Sequence, residues 1–269
     1  MGADIKSLRI RIRSVDSTLH LTKAMGLVAS SKIRRATQNM AKSREYTAAM
    51  DEVVDQLKAA PECAKSPYMQ PKGAGARLIV IAGDRGLAGG YNANVFKLAA
   101  LEKPDQIIPI GKRACERYGE GYLSSEHFTA DDARKLAEDQ CQAFLAGEFG
   151  RLGILYTRYQ SMMTQVAEVK WILPLTAEEG GKSTPTIFEP DEQTVLDAAV
   201  PTYVGGLIAA CVRESFACEV AARRMAMDSA GKNAQEMIDR LQLQYNRARQ
   251  NSITQEITEI VAGSGVGDR

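Results

Sequence analysis

The stretch that decides the fold is the last quarter of the chain, LIAACVRESFACEVAARRMAMDSAGKNAQEMIDRLQLQYNRARQNSITQEITEIVA (Leu207–Ala262). It contains no proline, its apolar and small residues return at helical spacing, and Gly263 follows as a helix stop signal. One helix over this stretch would be about 84 Å long at 1.5 Å per residue. Because the average helix of a globular domain has about 11–12 residues, we expect this helix to lie along an equally long partner.

The expected partner is the N-terminal segment, residues 1–60, which also lacks proline. Its apolar or small residues recur in alternating steps of three and four, which is the heptad pattern of a left-handed coiled coil. The members of this seam are Ile5, Leu8, Ile12, Val15, Leu19, Thr22, Gly26, Ala29, Ile33, Ala36, Met40, Ser43, Thr47, Met50, Val54 and Leu57. We therefore predict one long N-terminal helix that pairs with the C-terminal helix.

The centre of the N-terminal seam is unusual, because Thr22, Gly26 and Ala29 are small or polar. A glycine in a helix interior costs about 1 kcal/mol relative to alanine. Gly26 is therefore either a tolerated weak point or a position where another helix or another protein comes close. The sequence leaves both interpretations open.

The C-terminal seam is weaker, and Arg224 interrupts it. Its members are Val220, Met227, Ala234, Leu241 and Ala248, with Gly231, Ile238, Tyr245 and Ser252 at the alternate position. Since a compact domain joins the two helices, we expect them to run antiparallel.

The glycines suggest a register for this pair. Small residues let backbones approach, so we place Gly26 opposite Gly231. Ile5 then meets Ser252, and Leu57 meets Val200. This alignment leaves Ile253–Ala262 as a lone tip with exposed isoleucines. A lone helix of that length is marginal in water, so the tip needs a socket in another protein.

The middle of the chain has a different pattern. A Pro- and Gly-rich linker, Pro61–Gly75, precedes short apolar runs that alternate with helical segments. The predicted strands are Arg77–Ala82, Gln106–Ile110, Leu152–Tyr156 and Thr164–Leu173, the last at an edge or in an antiparallel pair. The predicted helices are Ala93–Leu101, Lys112–Tyr118 and Ala130–Ala146, and Thr176–Pro190 is a predicted loop. Such alternation indicates an α/β domain.

The predicted fold class is thus α/β with a long antiparallel coiled coil. The N-terminal helix (1–60) and the C-terminal helix (200–262) form the coiled coil. A small Rossmann-like α/β sheet domain (76–190) lies between them in the chain.

A glycine-rich turn is the strongest hint of a ligand site. Gly83, Gly86 and Gly89 follow a predicted strand and precede a helix, which is where phosphates bind. The spacing is GxxGxxG rather than GxGxxG, and no GK[ST] follows. A nucleotide-binding enzyme that uses residues 83–92 is therefore the weaker alternative, and a tight strand-to-helix turn is the preferred interpretation.

Composition offers little for other chemistry. The five cysteines form no CxxC or metal-ligand pattern and favour a reducing compartment, and there are only two histidines. We predict no catalytic residue, no metal and no cofactor. The formal net charge of +1 gives no global case for nucleic acid. Residues 1–50 nevertheless carry ten Lys and Arg against three acidic residues. This basic face is either solvated or complementary to an acidic partner, protein or nucleic acid.

No membrane segment is predicted. The N-terminus has neither an apolar signal core nor an Arg- and Ser-rich presequence. The longest weakly polar run, Ala198–Val212, is interrupted by Pro201 and is too short to span a bilayer. Any membrane association is expected to come through partners.

Three motifs carry a family resemblance. TKAMGLVASSKIRRA (Thr22–Ala36) resembles the N-terminal signature of the gamma subunit of F-type ATP synthases. DRGLAGGYN (Asp84–Asn92) resembles the glycine turn of that family. The stretch Glu219–Val261, with YNRARQ and SITQEITEI, is similar to its C-terminal signature. The resemblance covers essentially the whole chain, and its terminal motifs are the most specific.

The resemblance implies a central rotor shaft without an ATP-hydrolysing site. The coiled coil would turn inside a hexamer of alternating alpha and beta subunits. The α/β domain would be a foot that docks the epsilon subunit and the ring of c subunits, so that ion flow drives ATP synthesis or ATP hydrolysis drives ion flow. The complex would lie peripherally on the cytoplasmic face of the bacterial cell membrane. The family's partner-contact positions correspond here to Lys23, Met25, Arg249, Gln250 and Gln255.

Some residues depart from the family's usual pattern, and these are Gly26, Cys218, Val220, Arg224 and Gly231. They affect the predicted seam and its stiffness rather than the resemblance. The chain also lacks the regulatory dithiol insert of chloroplast members. A third interpretation is a coiled-coil tether or nucleic-acid-binding scaffold that uses the basic face of residues 6–44.

Overall fold

The computed structural model describes residues 2–176 and 186–264. The elements in chain order are α1 (Gly2–Ala59), a 3-10 helix (Pro61–Lys65), β1 (Ala76–Ile81), α2 (Tyr91–Glu102), β2 (Gln106–Ile110), α3 (Lys112–Tyr118), α4 (Ala130–Ala146), β3 (Arg151–Tyr159), β4 (Gln165–Leu173) and α5 (Glu192–Ser264). Most of the predicted loop at 176–190 lies outside the described residues. The predicted strands and helices are found, with their ends moved by a few residues.

The chain divides into two compact units. The coiled-coil unit combines the described residues up to Val28 with those from Arg224 onward, and the sheet unit is Ala29–Arg223. Both α1 and α5 contribute a segment to each unit. The predicted division into 1–60, 76–190 and 200–262 follows the elements instead and stays a prediction.

The heptad seam of α1 is confirmed. Every predicted seam residue from Ile5 to Leu57 is buried or half-buried, while most residues between them are exposed. The predicted seam of α5 is buried or half-buried in the same way, from Val220 to Ser252. The 3.5-residue period therefore identified the faces along which the two helices pack.

Within the coiled-coil unit the helices run antiparallel, as predicted. Arg9 Nη2 donates to the Tyr245 hydroxyl at 2.8 Å. Further along α1, a Cβ atom built on Gly231 would lie 3.6 Å from Thr22 Oγ1 and 3.9 Å from Leu19 Cδ1. As the residue number rises on α1, it falls on α5.

The predicted register is wrong by about one helical turn. A Cβ atom built on Gly26 would meet Met227 Cβ at 3.7 Å and Arg224 Nη1 at 3.4 Å, not Gly231. The physical reason is that the space beside Gly26 holds the Arg224 side chain, whose Nη1 donates to Gly26 O at 3.1 Å. A glycine is matched with an arginine rather than with another glycine.

The sheet unit shows the same offset from the predicted alignment, which would place residue 211 opposite Tyr46 and residue 206 opposite Asp51. Instead, Gly206 lies against Tyr46, and the Tyr203 hydroxyl donates to Asp51 Oδ1 at 2.6 Å. The predicted pairing of Leu57 with Val200 is therefore also displaced.

The sheet is mixed, with strand order β2-β1-β3-β4. β1 is parallel to β2 and β3, whereas β4 is an antiparallel edge strand paired with β3. β1 is apolar from Leu78 to Ile81, as expected for a central strand whose two faces are both buried. Leu78 and Val80 belong to the core formed with α2 and α3. Ile79 and Ile81 belong to the core formed with α4 and the paired helices.

Helix α5 begins earlier than predicted and passes through Pro201 without a break. A proline in a helix interior costs about 3 kcal/mol. Burial of Leu196, Val200, Val204 and Ile208 around it offsets this cost, since all four are fully buried. Asp191 caps the start, because its Oδ1 accepts from Thr194 N at 2.8 Å.

The continuity of α5 also corrects the membrane argument. By length and composition, α5 contains an 18-residue window apolar enough to cross a membrane, with mean hydropathy 1.7, and half of that window is buried inside the protein. The expectation of an interrupted run was wrong. The finding is weak evidence for a span, because the core helix of a soluble protein passes the same test.

The stretch at 61–75, predicted as a linker, contains a 3-10 helix, Pro61–Lys65. Pro61 is at the first position, where its missing N–H costs nothing. Cys63 and Tyr68 are buried in the core of the sheet unit, so this linker is packed against it.

Candidate functional site

The five predicted contact residues lie in the coiled-coil unit and form two groups. Lys23 is exposed and Met25 is half-buried on α1, whereas Arg249, Gln250 and Gln255 are exposed on α5. Gly231 packs beside Thr22, so Arg249 is 18 residues, or about 27 Å, further along the helix pair. The structure therefore separates the groups, and they would serve two different contacts.

The end of α5 has an uncovered apolar side. Ile253, Ile257 and Ile260 are 42%, 56% and 70% exposed. The expected apolar tip is thus exposed at these three isoleucines. Large exposed aliphatic side chains at helical spacing are typical of a surface that another protein covers.

A groove of about 480 Å³ marks the centre of the coiled-coil unit. Leu19, Thr22, Gly26, Met227 and Gly231 form part of its lining. It explains the unusual seam, because the small residues make room for the side chain of Arg224. Neither open interpretation of Gly26 anticipated an arginine from the facing helix, although the interruption of the α5 seam by Arg224 was the available signal.

A second region, here called the joint, lies in the sheet unit where α5 meets the end of β3. The last residue of β3 that pairs with β1 is Leu155, so residues 157–159 extend beyond β1. Side chains of α5 supply the missing partners. Thr157 N donates to Ser215 Oγ at 3.0 Å, and Tyr159 N donates to Glu214 Oε1 at 2.8 Å.

Further contacts reinforce the joint. Cys218 Sγ donates to Thr157 O at 3.2 Å. Arg44 on α1 donates to Glu214 Oε1 at 2.7 Å and to Tyr159 O at 2.8 Å. Because buried backbone groups need partners, these α5 side chains do for β3 what a neighbouring strand would do.

The joint also includes the glycine turn after β1. Arg223 forms an ion pair with Glu219, donates from Nε to Gly86 O at 3.3 Å and from Nη2 to Arg85 O at 3.3 Å. Glu219 is 2% exposed. Burial raises the pKa of Glu219, and the hydrogen bond and charge of Arg223 oppose that rise.

The side chain of Glu219 leaves no room for a Cβ atom at position 83, so a glycine fits there. A Cβ atom built on it would lie 2.7 Å from Glu219 Cδ, which is closer than real Cβ atoms come. Tyr91, at the start of α2, donates from its hydroxyl to Ser215 O at 3.0 Å. The glycine turn therefore packs directly on α5.

Asp84, in the glycine turn, accepts hydrogen bonds from groups outside the turn, at the start of α3 and in the loop that follows it. Its Oδ1 accepts from Ser125 N at 2.7 Å and from Lys112 N, at the start of α3, at 3.3 Å. Its Oδ2 accepts from Ser124 Oγ at 2.6 Å and from Glu126 N at 3.2 Å. Burial alone would raise the pKa of Asp84, but these hydrogen bonds outweigh burial and hold the pKa below its ordinary value.

Two carboxylates, those of Asp84 and Glu219, thus lie at the glycine turn. They would repel a phosphate bound there. The geometry favours the structural interpretation of the glycine turn over a nucleotide site. Sequence reasoning assigned no role to Asp84, Glu219 or Arg223. The available signal was a charged pair, four residues apart, in a helix segment made otherwise of small and apolar residues.

Comparisons with known proteins agree along the whole chain. A family model described as ATP synthase matches residues 4–265. The ATP synthase gamma chain of Ruminococcus albus is 40% identical, over 97% of this chain and 98% of that protein. The gamma chain of Geotalea uraniireducens is 36% identical with the same coverage.

Solved structures show the same fold. A chain of the Euglena gracilis mitochondrial ATP synthase, OSCP/F1/c-ring in rotational state 3, is similar with a TM-score of 0.70 and 17% identity, over 99% of this chain and 95% of that one. A chain of the rotor of the same enzyme in rotational state 1 gives 0.66 and 16%, over 94% and 100%. The family match and the 40% identity over nearly the full length show that the chain belongs to the gamma chain family of ATP synthases.

Proposed function

We propose that this chain is the non-catalytic central rotor subunit of a bacterial F-type ATP synthase. Rotation of the chain would couple ion flow through the membrane sector to ATP synthesis or hydrolysis in a hexamer of alternating alpha and beta subunits. The observation that carries this proposal is the antiparallel helix pair with an uncovered apolar tip, in a chain that resembles gamma chains from end to end. A helix pair that ends in exposed isoleucines suits a shaft whose tip turns in a bearing.

The absence of catalysis by this chain is supported by the glycine turn. The turn contains the carboxylate of Asp84, and the carboxylate of Glu219 packs against Gly83. Both would repel a phosphate bound there. ATP chemistry would belong to the partner subunits, so this chain needs no cofactor and no metal of its own.

The contact residues fit two places on such a shaft. Lys23 and Met25 would face the beta subunits near the middle of the coiled coil. Arg249, Gln250 and Gln255 would contact them close to the tip. The α/β domain at 76–190 would be the foot that docks the epsilon subunit and the c-subunit ring. The chain would then reach the membrane only through partners, peripherally on the cytoplasmic face.

The basic face of residues 6–44 gives little support to the nucleic-acid scaffold. Several of its side chains are used inside the protein. Arg9 binds Tyr245, Lys32 pairs with Glu126 at 2.5 Å, and Arg44 pairs with Glu214. Salt-sensitive binding of duplex DNA by the purified chain would support the scaffold alternative. Tight stoichiometric binding of ATP or NAD would support the alternative of a nucleotide-binding enzyme.

Reconstitution with alpha and beta subunits tests the proposal. ATPase activity is expected to require this chain and to fall in the double variant Arg249→Ala, Gln250→Ala. A matched control is Gln244→Ala, Arg247→Ala, since both residues are exposed on the same helix. ATPase activity that is independent of the chain, or equal in both double variants, would contradict the assigned role.

A further inference from the structure

We propose that Glu219 and Arg223 form a clamp that locks the glycine turn of the sheet domain onto α5 and carries torque between them. This inference rests on the proposed rotor function. Both residues act as positioning residues, because they touch no reacting group. Their effect would be on how many ions move per ATP, not on the chemistry of ATP.

The clamp connects α5 to the centre of the sheet. Gly83 follows shortly after the end of β1, and β1 lies between β2 and β3. A force on α5 at Arg223 is therefore delivered through Arg85 O and Gly86 O to the turn that leaves the central strand. Glu214 and Ser215 hold the adjacent strand β3 in the same way.

These contacts are concentrated on a short length of helix. Residues 214–223 span about 14 Å of α5, and within that length two neighbouring strands are tied to it. α5 then continues as one helix to Ser264. Ala88 and Tyr91 also pack against Cys218 of α5. Such apolar packing is non-directional, whereas hydrogen bonds constrain an angle.

The chemistry of the pair suits orientation more than stability. The side chain of Arg223 is 13% exposed and that of Glu219 is 3% exposed. A buried ion pair is weak evidence for stability, because desolvation offsets its attraction. A guanidinium instead presents several donors in a fixed plane, and here it engages two carbonyls and one carboxylate. Such an arrangement fixes an angle between two elements.

Because the pair is expected to affect orientation more than stability, its role can be tested separately from folding. Removing Arg223 alone would leave Glu219 as a buried unpaired charge and destabilise the chain. Replacing both, as Glu219→Gln with Arg223→Met, removes both charges and keeps the volumes, and such replacements are often neutral for stability. The matched control is Glu236→Gln with Arg240→Met, an exposed pair on the same helix with the same order and spacing.

The experiment uses the complete synthase in vesicles, with ATP hydrolysis and ATP-driven ion pumping measured on the same samples. For Glu219→Gln, Arg223→Met, we expect assembly and ATPase activity to remain and pumping per ATP to fall. Amide exchange in residues 83–90 should speed up by about tenfold, as expected for the loss of charge-assisted hydrogen bonds. The control pair should change neither quantity.

A second variant covers the case in which the double variant does not assemble. Arg223→Lys keeps the charge beside Glu219 but loses the planar fork, so pumping per ATP should fall partway with little change in thermal stability. Pumping per ATP equal to wild type in either variant, with faster exchange at 83–90, would overturn the clamp. If the wild-type chain neither supports ATPase activity nor pumping, the rotor proposal itself fails.

Discussion

Arg224 of α5 donates a hydrogen bond from Nη1 to the backbone carbonyl oxygen of Gly26 on α1, at 3.1 Å. The glycine leaves the space that the arginine fills, since a Cβ atom at position 26 would lie 3.4 Å from Nη1. The contact gives a structural reason for a glycine in one seam and an arginine in the other.

This pair predicts a size-dependent response at position 26. Gly26→Ala gains helix propensity of about 1 kcal/mol, and the flexible end of Arg224 can yield by the little that is needed, so stability should rise slightly. Gly26→Leu should displace Arg224 and lower stability. Adding Arg224→Met should restore much of that loss. Denaturant unfolding of the wild type, Gly26→Leu, Arg224→Met and the double variant measures the coupling free energy. Strictly additive effects would show that the two residues are independent.

Gly83→Ala should be destabilising for a different reason. The new Cβ would lie 2.7 Å from Glu219 Cδ, and overpacking of this kind typically costs about 1–3 kcal/mol. Gly90→Ala is the control, because the nearest atom to its Cβ would be 3.8 Å away. Thermal unfolding should separate the two variants, and equal melting temperatures would mean that Glu219 does not press on the turn.

Asp84 should make stability depend on pH. The folded pKa of Asp84 lies below the ordinary value of an aspartate, which is about 3.9. Its contribution to stability is therefore present above about pH 4 and is lost as the pH falls through the folded pKa. Asp84→Asn should therefore cost about 1–3 kcal/mol at neutral pH and progressively less in acid. Unfolding measured from neutral pH down to about pH 3 tests this, and a cost that stays constant over that range would contradict it.

Ser215→Ala tests whether α5 completes β3. The change leaves the buried Thr157 N–H without its acceptor at 3.0 Å, which typically costs about 1–3 kcal/mol. Ser229→Ala is the control, because Ser229 is exposed on the same helix. Faster amide exchange at Thr157 is expected only in the first variant. Unchanged exchange there would show that the serine is not the acceptor that matters.

Periodicity in the sequence predicted the seams of α1 and α5 almost residue by residue, because burial repeats with the heptad. The register was not predicted, since it depends on one polar side chain, Arg224, filling a gap in the facing helix. The start of α5 was missed because surrounding burial overrides the local cost of Pro201. The contacts at the joint could not be predicted from the sequence for a related reason. Glu214, Ser215 and Glu219 meet residues far away in the chain, and no local spacing encodes those contacts.

The most direct test of the rotor account is to watch this chain turn. A complex with alpha and beta subunits is fixed to a surface through the hexamer, and a bead is attached at Met163→Cys. That residue is 78% exposed in the turn between β3 and β4. The account predicts unidirectional rotation of the bead while ATP is hydrolysed. ATP hydrolysis by the same complexes with a motionless bead would contradict it.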